Sequence, residues 1–293
     1  MRQLVILSGK GGTGKTTVAS AFIRLSRTLA CADCDVDAPN LHLVNGRYPL
    51  HQSAPYYGLP LAEIDPAACH ACGACLQGCR FDAITPGKPY QVDPYSCEGC
   101  GVCALVCPAE AIHMKPHQAG SMTLYMRGDA VFSAAKLKTG SGTSGLLVSQ
   151  VKKRMKEASN KNVPFAIVDG SPGIGCPVIA TLSGADVTLI VAEPSLSGIS
   201  DLKRIVDTAR GFGVGIAVCV NKADINPEKT EDIRRYCEKE SLFFAGLIPY
   251  DPLAVEAVNQ GISIADIPCP SGQAAAEVYH KILAMLETGR HAD

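Results

Sequence analysis

Eight cysteines lie between positions 69 and 107, and they lie there twice in the same order. Cys69, Cys72, Cys75 and Cys79 recur as Cys97, Cys100, Cys103 and Cys107, each displaced by 28 residues. The repeat extends past cysteine, since Asp82-Ala83-Ile84 corresponds to Glu110-Ala111-Ile112. Two copies of one small thiol-rich unit call for metal chemistry. A disulfide framework is the habit of small secreted domains, whereas this chain has 293 residues and concentrates most of its 14 cysteines in one block.

Each copy has the form C-x2-C-x2-C-x3-C, and Pro108 follows the second. This resembles the bacterial ferredoxins that carry two [4Fe–4S] clusters. In those, three closely spaced thiolates hold one cluster and the fourth cysteine of the run reaches the other. The resemblance implies a first cluster on Cys69, Cys72, Cys75 and Cys107, and a second on Cys97, Cys100, Cys103 and Cys79. Small residues at Gly73, Ala74, Gly99 and Gly101 let backbone amides approach the sulfurs. Arg80 stands where the second run has Pro108, a departure that touches the local turn rather than ligation. Zinc knuckles are the alternative, but zinc sites use two C-x2-C pairs, not four cysteines in a row twice over.

The flanking sequence has another texture. Leu4 to Ser8 is a short apolar strand, Thr16 to about Arg27 is helical, and a second strand ends at Asp33-Cys34-Asp35. Amphipathic period is weak from Leu59 to about Met114, and the segment reads as an insert. A strand over Ser121–Arg127, a Gly/Ser linker over Gly140–Gly145 and a helix over Gly145–Ser159 follow. Strands at Phe165–Asp169, Val187–Ala192, Gly215–Asn221 and Phe243–Ile248 then alternate with helices near 198–211, 227–240, 252–260 and 272–287. Strand and helix in turn predict an α/β fold, a mostly parallel sheet with helices on both faces.

Composition narrows the function classes. With 27 basic against 28 acidic residues, no global basic field is available to hold a nucleic acid, and none is expected as a partner. No apolar run nears the roughly 18 residues that cross a bilayer, and the N-terminus is not a signal peptide. A soluble, cytoplasmic protein without direct membrane insertion is expected. The end of the chain, Ala276 to Arg290, carries Val278, Ile282, Met285 and Leu286 at the spacing of an ordinary core-packing helix.

Gly9-Lys10-Gly11-Gly12-Thr13-Gly14-Lys15-Thr16-Thr17 follows a strand and opens a helix, which is the context of a P-loop. Backbone N–H groups along Gly11, Gly12, Thr13 and Gly14 converge on a phosphate chain at the positive end of the helix, with Thr17 just beyond. Lys15 would reach the β- and γ-phosphates, and the Thr16 hydroxyl would coordinate Mg²⁺. The apolar strand Phe165–Asp169 ends in the carboxylate expected on the Mg²⁺ side.

Lys10, just ahead of the G-G-x-G-K-T run, resembles the signature of the deviant P-loop ATPases, the superfamily of MinD, ParA, the Mrp-type cluster carriers and the nitrogenase iron protein. That resemblance implies a homodimer formed on ATP binding, in which Lys10 contacts the phosphates of the partner's ATP. Asp33-Cys34-Asp35-Val36 resembles the first switch, with Asp35 positioning the attacking water and Asp33 supporting the metal side. Asp169-Gly170-Ser171-Pro172-Gly173 resembles the second, where the Gly173 amide would sense the γ-phosphate. Asn221-Lys222 resembles the base-binding position, and Ile248-Pro249-Tyr250-Asp251 the loop over the base, which brings in Pro249. Asn221-Lys222-Ala223-Asp224 also fits the N-K-x-D motif of GTPases, so ATP and GTP both stand at this point.

The implied organisation is a discontinuous P-loop NTPase domain over residues 1–60 and 115–293, with a ferredoxin-like α+β domain inserted over 61–114. Of the other six cysteines, 31, 34, 219, 237 and 269 are expected as small buried residues, with Cys31 and Cys34 the only pair spaced for a further metal site. Cys176 differs. It lies seven residues after Asp169, the offset at which the nitrogenase iron protein ligates a cluster shared across its dimer, and is a candidate interface thiol. The second ligand of that protein has no counterpart, since the region near Ser141 offers serine.

These features predict an ATPase with Mg²⁺ and two [4Fe–4S] clusters that couples ATP hydrolysis to electron transfer with a redox partner. Two other functions fit the same residues: a scaffold or carrier that hands clusters to an acceptor protein, and a MinD- or ParA-like regulator with structural or sensing clusters.

Overall fold

The computed structural model describes residues 1–45 and 48–288. In chain order the strands are β1 Arg2–Ser8, β2 Ala30–Asp33, β3 Leu50–Tyr57, β4 Leu61–Ile64, β5 Ile84–Thr85, β6 Gln91–Val92, β7 Ile112–Lys115, β8 Gln118–Arg127, β9 Ala130–Leu137, β10 Phe165–Pro172, β11 Val187–Ala192, β12 Gly215–Asn221 and β13 Phe243–Ile248. The helices are α1 Lys15–Ser26, α2 Leu41–Val44, α3 Ala74–Gly78, α4 Val102–Leu105, α5 Ser144–Ala158, α6 Cys176–Leu182, α7 Leu196–Arg210, α8 Pro227–Lys239, α9 Pro252–Asn259 and α10 Pro270–Thr288.

Successive residues of a strand face opposite sides of the sheet, and β1 uses both sides for burial. Val5 and Leu7 join an apolar layer with Val148, Val178 and Leu202, from α5, α6 and α7. Leu4 and Ile6 join another with Phe22 of α1 and Val278 and Ile282 of α10. A strand buried on both faces is apolar along most of its length, which is why β1 reads as a run over Leu4–Leu7 and β11 is apolar but for Thr188. The result is a nine-stranded sheet in the order β13-β12-β11-β1-β10-β2-β9-β8-β3. Neighbours are parallel from β13 to β9, and β8 and β3 close that edge as an antiparallel ribbon.

The expected α/β fold with a mostly parallel, doubly covered sheet is therefore present. Outside residues 61–115, four of the elements named above are additional: α2, β3, β9 and α6. The second strand also stops at Asp33, two residues early, because the Asp33 carboxylate turns the chain. Its Oδ1 accepts the Asp35 N–H at 3.0 Å, and its Oδ2 accepts those of Asn40 and Leu41, each at 3.0 Å. The C-terminal helix packs Val278, Ile282, Met285 and Leu286 into the core. Positions 289 and 290 of the Ala276–Arg290 segment lie outside the described residues. Among the described residues no helix is long and apolar enough to cross a membrane.

Residues 61–115 branch from the β3–β8 ribbon and obey an internal twofold relation. Ile64 of β4 pairs with Ile112 of β7, and Val92 of β6 pairs with Ile84 of β5. Adding 28 to 64 and 84 gives 92 and 112, so each copy of the repeat lends its first strand to the last strand of the other. Left-handed backbone recurs at the same displacement: Ala71 and Gly99, Gly73 and Gly101, Asp82 and Glu110. Asp65 N–H donates to Ala111 C=O as Asp93 N–H donates to Ala83 C=O. The unit has its own apolar centre, with Ala62, Cys75, Ile84, Cys103 and Ile112 buried together.

Candidate functional site

The parallel strands deliver their C-terminal ends to one edge, where ligands of such sheets bind. Between β1 and α1 the loop turns on left-handed Gly12 and Gly14 (φ +81° and +89°). At Gly14 a side chain is excluded twice, by φ and by Asn221, whose Nδ2 lies 2.1 Å from where a Cβ would stand. That same Nδ2 donates to Thr13 C=O at 2.7 Å, which ties the end of β12 to the loop.

The loop cations already have partners. Lys15 Nζ lies 2.6 Å from Asp169 Oδ1 and 4.0 Å from Asp35 Oδ2. Burial by itself would depress the Lys15 ammonium. The Asp169 carboxylate, helped by Asp35 and Asp33, outweighs it and holds the group above the ordinary lysine value. Burial, together with the charge of Asp169, pushes the Asp33 carboxyl up, and burial does the same at Asp35. The Thr16 hydroxyl donates to Asp169 Oδ2 at 2.7 Å, so two hard oxygen donors of the kind Mg²⁺ takes stand together. Asp33 is close by, but its oxygens are engaged by the three amides of its own loop.

Lys10 points along its own chain, 2.9 Å from Glu193 Oε1 and 3.1 Å from Ser197 Oγ. Lys222 donates to Gly12 C=O at 3.0 Å, with Glu193 at 3.9 Å. Glu193, which faces both Lys10 and Lys222, is the site contact that sequence reasoning missed. It is a lone acid after β11 with no motif around it, and its position one residue past a buried parallel strand is the only signal. The Gly173 amide donates to Ser8 C=O at 2.9 Å. A cavity of about 240 Å³ lies beside the loop, lined by Gly12, Gly14, Thr17, Asn221, Pro249 and Tyr250 among others. It brings together the residues expected around a base.

In the cysteine unit, Cys79 of the first run lines one hollow with Cys97, Cys100 and Cys103 of the second, amid Ala62, Ala83, Ile84, Val92 and Met114. Burial pushes up the thiols of Cys75 and Cys103. Cys69 and Cys72 lie near Cys75, and Cys97 and Cys100 near Cys103, so each triplet is also close in space. Among the described residues no three His, Cys, Asp or Glu side chains converge tightly enough for one metal ion. Four thiolates around one zinc would stand about 2.3 Å from a single point. Sulfurs at the outer corners of an iron–sulfur cube are spread wider.

A second cavity, of about 330 Å³, joins the unit to the sheet. Tyr95, Cys97 and Glu98 face His117 and the loop Lys138–Thr143 across it. That loop leads into α5, where a Cβ on Gly145 would stand 3.1 Å from the Cys176 Cβ. Cys176 is exposed, while Cys31, Cys34, Cys219, Cys237 and Cys269 are buried.

The profile of the CobQ/CobB/MinD/ParA nucleotide binding domain matches residues 4–264. A Methanocaldococcus jannaschii protein, MJ0578, is 34% identical over 227 residues, covering 76% of this chain and 79% of its own. A protein of Pyrococcus furiosus named iron-sulfur cluster carrier protein is 24% identical over 304 residues, covering 97% and 86%. The septum site-determining protein MinD of Pyrococcus horikoshii, solved with Mg-ADP, has the same fold at 16% identity. Its TM-score is 0.60 over 99% of this chain and 98% of that one. The chain belongs to the CobQ/CobB/MinD/ParA family of nucleotide-binding domains.

Proposed function

We propose that this chain is an ATPase that binds Mg-ATP at the Gly9–Thr17 loop, pairs with a second copy on doing so, and couples the cycle to electron transfer through two [4Fe–4S] clusters in an inserted ferredoxin-like domain, residues 61–114. The observation that carries the reading is the hollow shared by Cys79, Cys97, Cys100 and Cys103. Sulfur donors from both runs, set in an apolar shell, suit a thiolate-ligated cluster. By the twofold relation of the unit, Cys107 is offered to Cys69, Cys72 and Cys75. Such clusters, when bound, supply reversible one-electron storage.

The protein's own residues act as follows. Lys15 leaves Asp169 for the β- and γ-phosphates, which exposes Asp169 and the Thr16 hydroxyl toward Mg²⁺. Asp33 supports that side by holding the loop from Asp35 to Leu41. Asp35 orients the attacking water, and ATP and water become ADP and phosphate. Lys10 exchanges Glu193 for phosphate oxygens of the second copy's nucleotide. Gly173 exchanges Ser8 for the γ-phosphate; three residues on, Cys176 lies against Gly145 of α5, and α5 follows the Lys138–Thr143 loop that borders Cys97. The contiguity of these contacts supports coupling between nucleotide and cluster.

A second reading, a cluster carrier, is favoured by the carrier name of the Pyrococcus relative and by the exposed Cys176 thiol. The test is an anaerobic redox titration of the iron-reconstituted protein followed by EPR, with and without Mg-ATP. A nucleotide-dependent shift of about 60 mV in a one-electron potential equals roughly 1.4 kcal/mol of coupling and is the expected result. Potentials that ignore ATP, with iron passing to an apo-ferredoxin, would move the assignment to the carrier.

A further inference from the structure

The N-K-x-D stretch at the end of β12 holds two opposite specificities. Where such a motif reads guanine, the two oxygens of its acid accept the N1–H and the 2-amino group of the base. Here the first two members are committed to the phosphate loop, Asn221 Nδ2 to Thr13 C=O at 2.7 Å and Lys222 Nζ to Gly12 C=O at 3.0 Å. The atom of Asn221 left for a base is Oδ1, an acceptor, which matches the 6-amino group of adenine and opposes the 6-oxo group of guanine.

Asp224 is engaged elsewhere. Its Oδ1 accepts the Tyr250 N–H at 2.6 Å, and Tyr250 with Pro249 and Asp251 forms one wall of the 240 Å³ base cavity, whose lining does not include Asp224. The far end of that wall is held too, because Asp251 accepts the N–H groups of Leu253 at 3.0 Å and Ser271 at 3.1 Å.

We propose that Asp224 is a positioning residue for adenine: it fixes the Pro249–Asp251 wall through the Tyr250 amide and does not read the base. The inference rests on the assignment of the Gly9–Thr17 loop as an ATP site and adds how the wall beside the adenine is held.

Equilibrium binding of ATP, GTP, XTP and inorganic tripolyphosphate, each with Mg²⁺, to the full-length protein and to Asp224→Asn and Asp224→Ala tests it. The unaltered protein is expected to prefer ATP to GTP. Asp224→Ala should weaken ATP about tenfold, the scale of one charge-assisted hydrogen bond, while tripolyphosphate affinity stays put. Asp224→Asn, whose amide oxygen still accepts the Tyr250 N–H, should keep most of the ATP affinity and gain nothing for XTP. A preference for GTP, or a switch to XTP in Asp224→Asn, would overturn the proposal, because an amide there satisfies the 2-oxo group of xanthine only if residue 224 touches the base. Unchanged ATP affinity in Asp224→Ala would overturn it as well. If neither the nucleotides nor tripolyphosphate bind, the nucleotide-site assignment itself fails, and Asp224 falls with it.

Discussion

Lys15 and Asp169 form a buried ion pair at the phosphate loop. Their side chains are 6% and 0% exposed, and at that depth the pair is held together because each member would be costly alone. Removing one partner of a buried pair costs about 3 kcal/mol or more, since the other is left uncompensated. Lys15→Met is therefore expected to lower the urea midpoint of the nucleotide-free protein by that order, with the slope unchanged. Lys15→Met with Asp169→Asn should regain most of the loss, because the orphaned charge is gone. Equal destabilisation in the single and double variants would show that the loss is one of packing and not of charge.

At the scale of elements, α5 is the connector. Lys152, buried on it, donates to the carbonyls of Thr181 at 2.5 Å and Ser183 at 2.6 Å, at the C-terminal end of α6. A cation there meets the negative end of a helix and its unpaired carbonyls. Lys152→Met should cost about 1–2 kcal/mol and show first as faster hydrogen exchange in α6, with α10 unchanged. Exchange that rises equally in both helices would point to global loosening instead. Neither α6 nor Lys152 was legible in the sequence. Cys176–Leu182 has seven residues, too few for a helical period to declare itself, and a lysine in an amphipathic helix reads as surface. The edge strand β3 hid for the opposite reason. Most of Leu50–Tyr57 is exposed, and Pro55 interrupts it, so neither alternation nor an apolar run marks it. The parallel strands were legible because double burial leaves them few polar positions, Asp33 and Asp169 lying toward the ends that face the site. The candidate site was legible where a motif spans it, from Gly9 to Thr17 and at Asp169, Asn221 and Pro249. The Glu193 contacts were not, since they join loops distant in sequence.

At the scale of the molecule, the cysteine unit sits at the end of the β3–β8 ribbon. Tyr57 pairs with Gln118, and beyond them Leu61 pairs with Lys115. The chain thus leaves and re-enters the sheet at neighbouring points, the geometry in which insertions are tolerated. Replacing residues 61–115 by a short glycine-rich turn is expected to leave the nine-stranded sheet folded and tripolyphosphate bound as before, with no iron after reconstitution. Circular dichroism and binding calorimetry would check it, and a collapse of the whole fold would show that the unit is part of the core.

The pairing of the phosphate loop with its own acids has a further consequence. Lys10 and Lys222 share Glu193, and Lys15 faces Asp169, so each cation of the loop is paired with a carboxylate of its own chain. An incoming triphosphate meets cations that are already paired, which weakens the steering they give from afar. It displaces resident carboxylates one by one, and capture becomes an exchange of counter-ions, decided at contact range and only shallowly dependent on ionic strength.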